Sequence, residues 1–135
     1  MWKNNIIRLY VKKMNFNKED KSIEINRGST GTIKVINKNG NFAIGDKLKL
    51  SIVEKGNYNN VLFQKEYEIT EESNVAYINL TSEDTRFCNV ISKEEVYWYE
   101  IELNNSQTLV GYDSNKAKKF IIYPEAPNKE VNNNG

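Results

Sequence analysis

The sequence has no histidine, so it lacks the most common general base and the most common protein ligand for metals. Its one cysteine, Cys88, excludes an intramolecular disulfide and a cysteine-based zinc site. Neither a cofactor nor a metal is expected. Arginine is confined to Arg8, Arg27 and Arg86. Lys plus Arg total 19 against 18 for Asp plus Glu, so no global field draws the chain to nucleic acid or to an anionic membrane. The apolar runs are a few residues long and cannot span a bilayer as a helix. Near the start, Arg8 interrupts the apolar stretch and no small-residue cleavage site follows, which argues against a secretion signal.

What is present is alternation. In Val96–Leu103, Tyr97, Tyr99, Ile101 and Leu103 fall on one face, and Val96, Trp98, Glu100 and Glu102 on the other. A period of two in aromatic and β-branched residues marks a half-buried strand. Asn104-Asn105-Ser106 supplies a tight turn, because Asn tolerates the left-handed conformation. A second strand, Gln107–Tyr112, completes a hairpin. The same pattern recurs in Ser22–Asn26, Thr32–Asn37, Lys47–Glu54, Val61–Ile69, Val75–Leu80 and Ala117–Tyr123. In the fourth of these segments, Val61, Phe63, Lys65, Tyr67 and Ile69 share a face. Ala43 is expected to help plug the core.

Thr81-Ser82-Glu83-Asp84 reads as a capping box, opening one helical turn with Phe87 tucked in. Seven to eight strands with turn signals every 8–12 residues and one short helical turn predict an all-β, immunoglobulin-like antiparallel β-sandwich. Tyr97 or Tyr99, after the helical turn, is placed to bond back to upstream backbone. The long connector and the lack of a Cys pair mean that an antibody-type domain is not implied. With 135 residues one domain is expected. The expected divisions are an N-terminal extension or docking arm at 1–13, the sandwich at 14–125 and a linker or tail at 126–135. As an extension, residues 1–13 would be an appendage or an added strand. As a docking arm they would bury Ile6, Leu9 and Tyr10 against a neighbour.

Several motifs resolve into turns. Gly40–Lys47 approaches a phosphate loop, but Asp46 would repel phosphate, Leu48 replaces the hydroxyl residue, and a strand follows instead of a helix. Arg27-Gly28-Ser29 lacks the carboxylate of an adhesive tripeptide. Asp113-Ser114-Asn115 has only the opening of a calcium loop. The pairs Glu71/Glu72, Glu83/Asp84 and Glu94/Glu95 lie in turns. Glu100 and Glu102 share a face with Trp98, and that face reads as a polar sheet surface, a protein interface or a sugar platform. Tyr58, Trp98 and Tyr112 do not make a single-strand nucleic-acid platform, which needs a basic groove among the aromatics. No nucleophile–base pair emerges, so no enzyme is expected.

The series Ile23–Thr32, Gly45–Ile52, Thr81–Thr85, Tyr97–Leu103 and Thr108–Asp113 resembles, in its order, small structural proteins of Firmicute phages and prophages. In particular it is similar to the N-terminal immunoglobulin-like domain of baseplate upper proteins, over about Met14 to Glu125. That family usually has Arg-Gly-Asp-Thr where this chain has Arg27-Gly28-Ser29-Thr30. The resemblance implies a non-enzymatic assembly protein of a phage tail, baseplate or phage-derived contractile particle, positioning fibre or receptor-binding components. Its partners would be other tail or baseplate proteins and copies of itself. It would be made in the bacterial cytoplasm and reside in the particle. The candidate interface is Ile6, Leu9, Tyr10, Val96, Trp98 and Tyr112. Rival expectations are a carbohydrate-binding module on a fibre and a small cytosolic inhibitor encoded by a mobile element.

Overall fold

Alternation governs the folded chain. In the computed structural model, which describes residues 7–90 and 92–126, ten strands form two packed sheets. They are β1 (Ile7–Lys12), β2 (Asn15–Phe16), β3 (Ile23–Asn26), β4 (Gly31–Asn37), β5 (Lys47–Glu54), β6 (Asn57–Glu68), β7 (Val75–Leu80), β8 (Glu95–Leu103), β9 (Gln107–Val110) and β10 (Lys118–Tyr123). One sheet runs β1-β4-β7. The other runs β2-β3-β10-β8-β5-β6, with β9 also paired to β8. Alternate residues of each sheet meet between them: Ile33 and Val35 from β4, Leu48, Leu50 and Ile52 from β5, Tyr99 and Ile101 from β8, Phe120 and Ile122 from β10.

The order β10-β8-β5-β6 matches the G-F-C-C′ run of a variable-type immunoglobulin sheet, with β4 and β7 in the places of B and E. The protein is an all-β, immunoglobulin-like sandwich. Its pairing is not wholly antiparallel as expected, because β3 lies parallel to β10, with Ile23 opposite Phe120. The strand count also exceeds seven to eight. Short β2 and the strand at Ile7–Lys12 account for most of the difference.

Strand β1 corrects the reading of the N-terminus. It pairs with β4 from Ile7–Asn37 to Lys12–Thr32, and Leu9 is only 4% exposed within the chain's own core. Burying each of Ile7 and Leu9 contributes about 1.5–3 kcal/mol, and the ladder with β4 along the whole strand adds to this. The added-strand expectation is realised over Ile7–Lys12, so the sandwich includes residues ahead of Met14. At Lys13, whose φ is 63°, the chain turns from one sheet to the other and enters β2. Asn15–Lys21, expected to be an exposed lead-in, therefore contributes a short strand, and Phe16 packs against the core.

The turn chemistry holds. Asn104 and Asn105 have φ of 54° and 56°, the left-handed pair that a two-residue hairpin favours. The capping box is reciprocal: the Asp84 amide donates to Thr81 Oγ1 at 3.1 Å, and the Thr81 amide to Asp84 Oδ2 at 2.8 Å. It opens a single 3-10 turn, Asp84–Arg86. Phe87 then stacks between Phe63 and Tyr97. Thr85, buried under this turn, accepts from the Gly28 amide and donates to the Ser29 carbonyl, so the Arg27-Gly28-Ser29 segment is a docked structural turn. Gly28 is required there, since its φ is 83° and a Cβ would stand 2.8 Å from the Glu125 carboxyl carbon. Arg27 and Arg86 both clamp Glu125.

Two core assignments change. Phe42, not Ala43, plugs the core; it is buried while Ala43 is exposed. Val61 leaves the face of Phe63 and Tyr67, because the β5–β6 ladder slips between Ile52 and Val53 and turns Val61 outward. Lys65 lies on the edge strand β6 and pairs with Asp84 at 2.7 Å.

Candidate assembly interface

The outer face of the larger sheet is built around Trp98. Strand β8 presents Val96, Trp98, Glu100 and Glu102 outward because Tyr97, Tyr99, Ile101 and Leu103 face the core side. Strand β5 sets Val53 opposite Trp98, Ser51 opposite Glu100 and Lys49 opposite Glu102. Two loops then close over the tryptophan. The irregular end of the β5–β6 hairpin brings Tyr58 to 5.3 Å between ring centroids. The segment after β9 brings Tyr112 to 6.4 Å. Gly111 allows that return, since a Cβ there would meet Thr108 Cγ2 at 2.7 Å and Glu100 Oε2 at 3.2 Å.

The result is an aromatic trio over a carboxylate. Val53 and Ser51 beneath it are buried although they point away from the core. The Tyr58 hydroxyl is enclosed without a hydrogen-bond partner among the described residues. Burial, then Glu100, raises the pKa of that phenol. Burial also pushes the Glu100 carboxyl above the ordinary carboxylate range, and the Glu102 charge adds to this. Neither Glu100 nor Glu102 forms an ion pair among the described residues. Glu100→Gln should therefore stabilise the isolated chain at neutral pH. A carboxyl whose folded pKa is raised costs stability above that value, and the cost vanishes below its unfolded value near pH 4.3. Thermal melts should show the Glu100→Gln variant ahead at pH 8 and level with the wild type at about pH 4, the gap closing as pH falls through the raised value. A gap independent of pH would point to packing instead of charge.

The expected interface residues do not all converge. Val96, Trp98 and Tyr112 share this face, and Tyr112 is 57% exposed. Tyr10 is exposed on the opposite side, on the outer face of the β1-β4-β7 sheet. Leu9 is excluded by its place in the core. Ile6 lies outside the described residues. Tyr58 belongs to the face but reads as loop in the sequence, because a bulge, not periodicity, carries it over Trp98. The one thiol is not poised for chemistry: burial raises the Cys88 pKa, with Tyr97 and Arg27 opposing it only in part. Among the described residues no group of three potential metal ligands comes together, and no helix is long and apolar enough to cross a membrane.

The fold thus defines the class: an immunoglobulin-like sandwich with an aromatic-centred outer face. No protein-family model, curated protein or solved structure matches the chain.

Proposed function

We propose that the chain is a non-enzymatic assembly protein of a phage tail, baseplate or phage-derived contractile particle, holding fibre or receptor-binding components in place as an oligomer. The observation that carries this reading is the Trp98 face. A half-buried tryptophan flanked by Tyr58 and Tyr112, beside a desolvated carboxylate, has the composition of a contact centre. The ordered series of segments that resembles baseplate domains supports the particle context. The sugar-platform alternative needs an open ring face, and Trp98 already has the rings of Tyr58 and Tyr112 against it at 5.3 and 6.4 Å between centroids.

The test is mass spectrometry of particles purified from the source bacterium after induction. The chain is expected in the particle fraction at a stoichiometry of three, six or a multiple. Residues 1–13 cannot be deleted to probe docking, because β1 would leave the core. Trp98→Ala probes the face alone: the chain should stay folded by circular dichroism and fall at least about tenfold in particle content, the loss of one aromatic anchor. Detection of the wild-type chain only in the cytosol would refute the assembly role and favour the inhibitor reading.

A further inference from the structure

The two outer faces of the sandwich carry net charge of opposite sign. On the β1-β4-β7 sheet, the register places Arg8, Ile36 and Val75 in one row, Tyr10, Lys34 and Tyr77 in the next, and Lys12, Thr32 and Asn79 in the third. Arg8, Lys12 and Lys34 are its charged residues, and no acid stands among them. None of the three forms an ion pair among the described residues. The Lys34 ammonium instead lies 6.0 Å from the Tyr10 ring centroid, with Tyr77 exposed on its other flank. The face is a cationic surface edged by two tyrosines.

The Trp98 face is its complement. Glu24, Glu66, Glu68, Glu100 and Glu102 point outward there against Lys47, Lys49 and Lys119. Its centre holds the aromatic trio and Glu100, while Lys49 stands opposite Glu102 and Lys119 opposite Trp98, and neither Glu100 nor Glu102 forms an ion pair among the described residues. Its acids outnumber its cations, whereas the other face carries cations alone.

We propose that copies of this chain associate head to tail, the Arg8–Lys12–Lys34 face of one docking on the Trp98–Glu100–Glu102 face of the next. Pairing of like faces is disfavoured by charge, so the interface is heterologous and generates a ring or a filament instead of a closed dimer. A polyanion would suit the first face alone and would leave the second without an occupant. Lys34 standing between two tyrosines also suits point contacts more than a continuous groove that tracks a phosphate backbone. The inference deepens the assembly role proposed above. It is tested on the purified full chain, so its failure is distinguishable from absence of the chain from particles.

The test is sedimentation velocity. At low salt the wild type should grow beyond a dimer as concentration rises. At about 1 M salt, where the screening length is ~3 Å, it should sediment as a monomer. Lys34→Glu and Glu102→Lys should each weaken association at least about tenfold, since each sets like charges opposite one another. The decisive sample is their mixture. Lys34→Glu protein keeps an intact acidic face and Glu102→Lys protein an intact cationic one, so the mixture should form dimers and nothing larger. Arg8→Glu with Glu66→Lys is the second pair, should either variant be unfolded by circular dichroism. A monomeric wild type at every salt concentration, or a monomeric mixture of folded variants, overturns the proposal. Binding of a fluorescent oligothymidylate that Lys34→Glu abolishes, without self-association, overturns it too and assigns the cationic face to a polyanion.

Discussion

Asp113→Ala should destabilise the fold by about 3 kcal/mol, the lower end of what breaking a buried ion pair costs. Lys118→Met should cost much less. The reason for the asymmetry is position. Lys118 is 2% exposed and lies on the core side of β10, in line with Phe120 and Ile122. Its ammonium reaches Asp113 Oδ1 at 2.7 Å and the Lys116 carbonyl at 3.0 Å. Asp113 sits nearer the surface, in the loop between β9 and β10, and also accepts from the Asn115 amide at 2.8 Å. Removing the carboxylate leaves a cation buried with one carbonyl partner. Removing the cation leaves a carboxylate that water can reach, and Met fills the vacated stem volume.

Asp113→Asn separates charge from loop geometry, since an amide oxygen can still accept from Asn115. The double variant Asp113→Asn/Lys118→Met should recover most of the loss. Urea midpoints at unchanged m-value are the measurement. The pH dependence has a definite sign. Burial raises the Asp113 pKa, but the Lys118 hydrogen bond and the Asn115 amide outweigh it and hold the carboxyl below its ordinary range. Its stabilisation is therefore present above the unfolded value near pH 4 and lost as pH falls through the folded value. Wild type and Asp113→Asn should converge in stability in strong acid. Equal costs for Asp113→Ala and Lys118→Met would mean that Lys118 reaches water in the variant and that the pair is not a buried one.

How legible this was differs from residue to residue. The strand Lys47–Glu54 and the faces of β8 followed from a period of two, because both strands have one side in the core and the other outside. That same period was present in Ile7–Lys12. Its cations and its place ahead of Met14 left an appendage, an added strand and a docking arm all open, although alternate cations on an outer sheet face are ordinary. Lys118 occupies an inward position of β10 where periodicity calls for an apolar residue. Only the loop that brings Asp113 beside it makes that tolerable, and five residues of sequence separation do not reveal such a pairing. Trp98 was visible as the centre of a face. Tyr58 stood out as an exposed loop aromatic, but its place over Trp98 was not legible, since a bulge changes which side of a strand a residue occupies. The parallel pairing of β3 with β10 joins segments nearly a hundred residues apart, and neither segment carries a local mark of its direction. The tyrosine bond expected at the helical turn does exist as a bond from Tyr99 to upstream backbone, but its acceptor is elsewhere.

That acceptor is the Lys21 carbonyl, 2.6 Å from the Tyr99 hydroxyl. Lys21 has φ of 60° and closes the turn between β2 and β3, with its amide bonded to the Asn17 carbonyl and the Asn17 amide to the Ser22 carbonyl. The strained turn that leads from β2 into β3 is thus pinned by a side chain from the middle of β8. Burial raises the pKa of this phenol, with a smaller push from Asp20, so it stays a protonated donor throughout the stable range. Tyr99 is fully buried and meets Phe120 edge to face at 6.1 Å. Tyr99→Ala should cost about 3–5 kcal/mol, the usual range for removing a buried ring. Tyr99→Phe keeps the ring and strands the carbonyl, for about 1–2 kcal/mol. The two losses should also differ in place. Tyr99→Ala lowers protection from hydrogen exchange throughout the core. Tyr99→Phe should raise exchange first at the Asn17–Ser22 turn, by about tenfold per 1.4 kcal/mol of local opening. If Tyr99→Phe instead lowers protection of β5 and β8 as much as that of the turn, the hydroxyl supports the whole sandwich and the turn is not a separate opening unit.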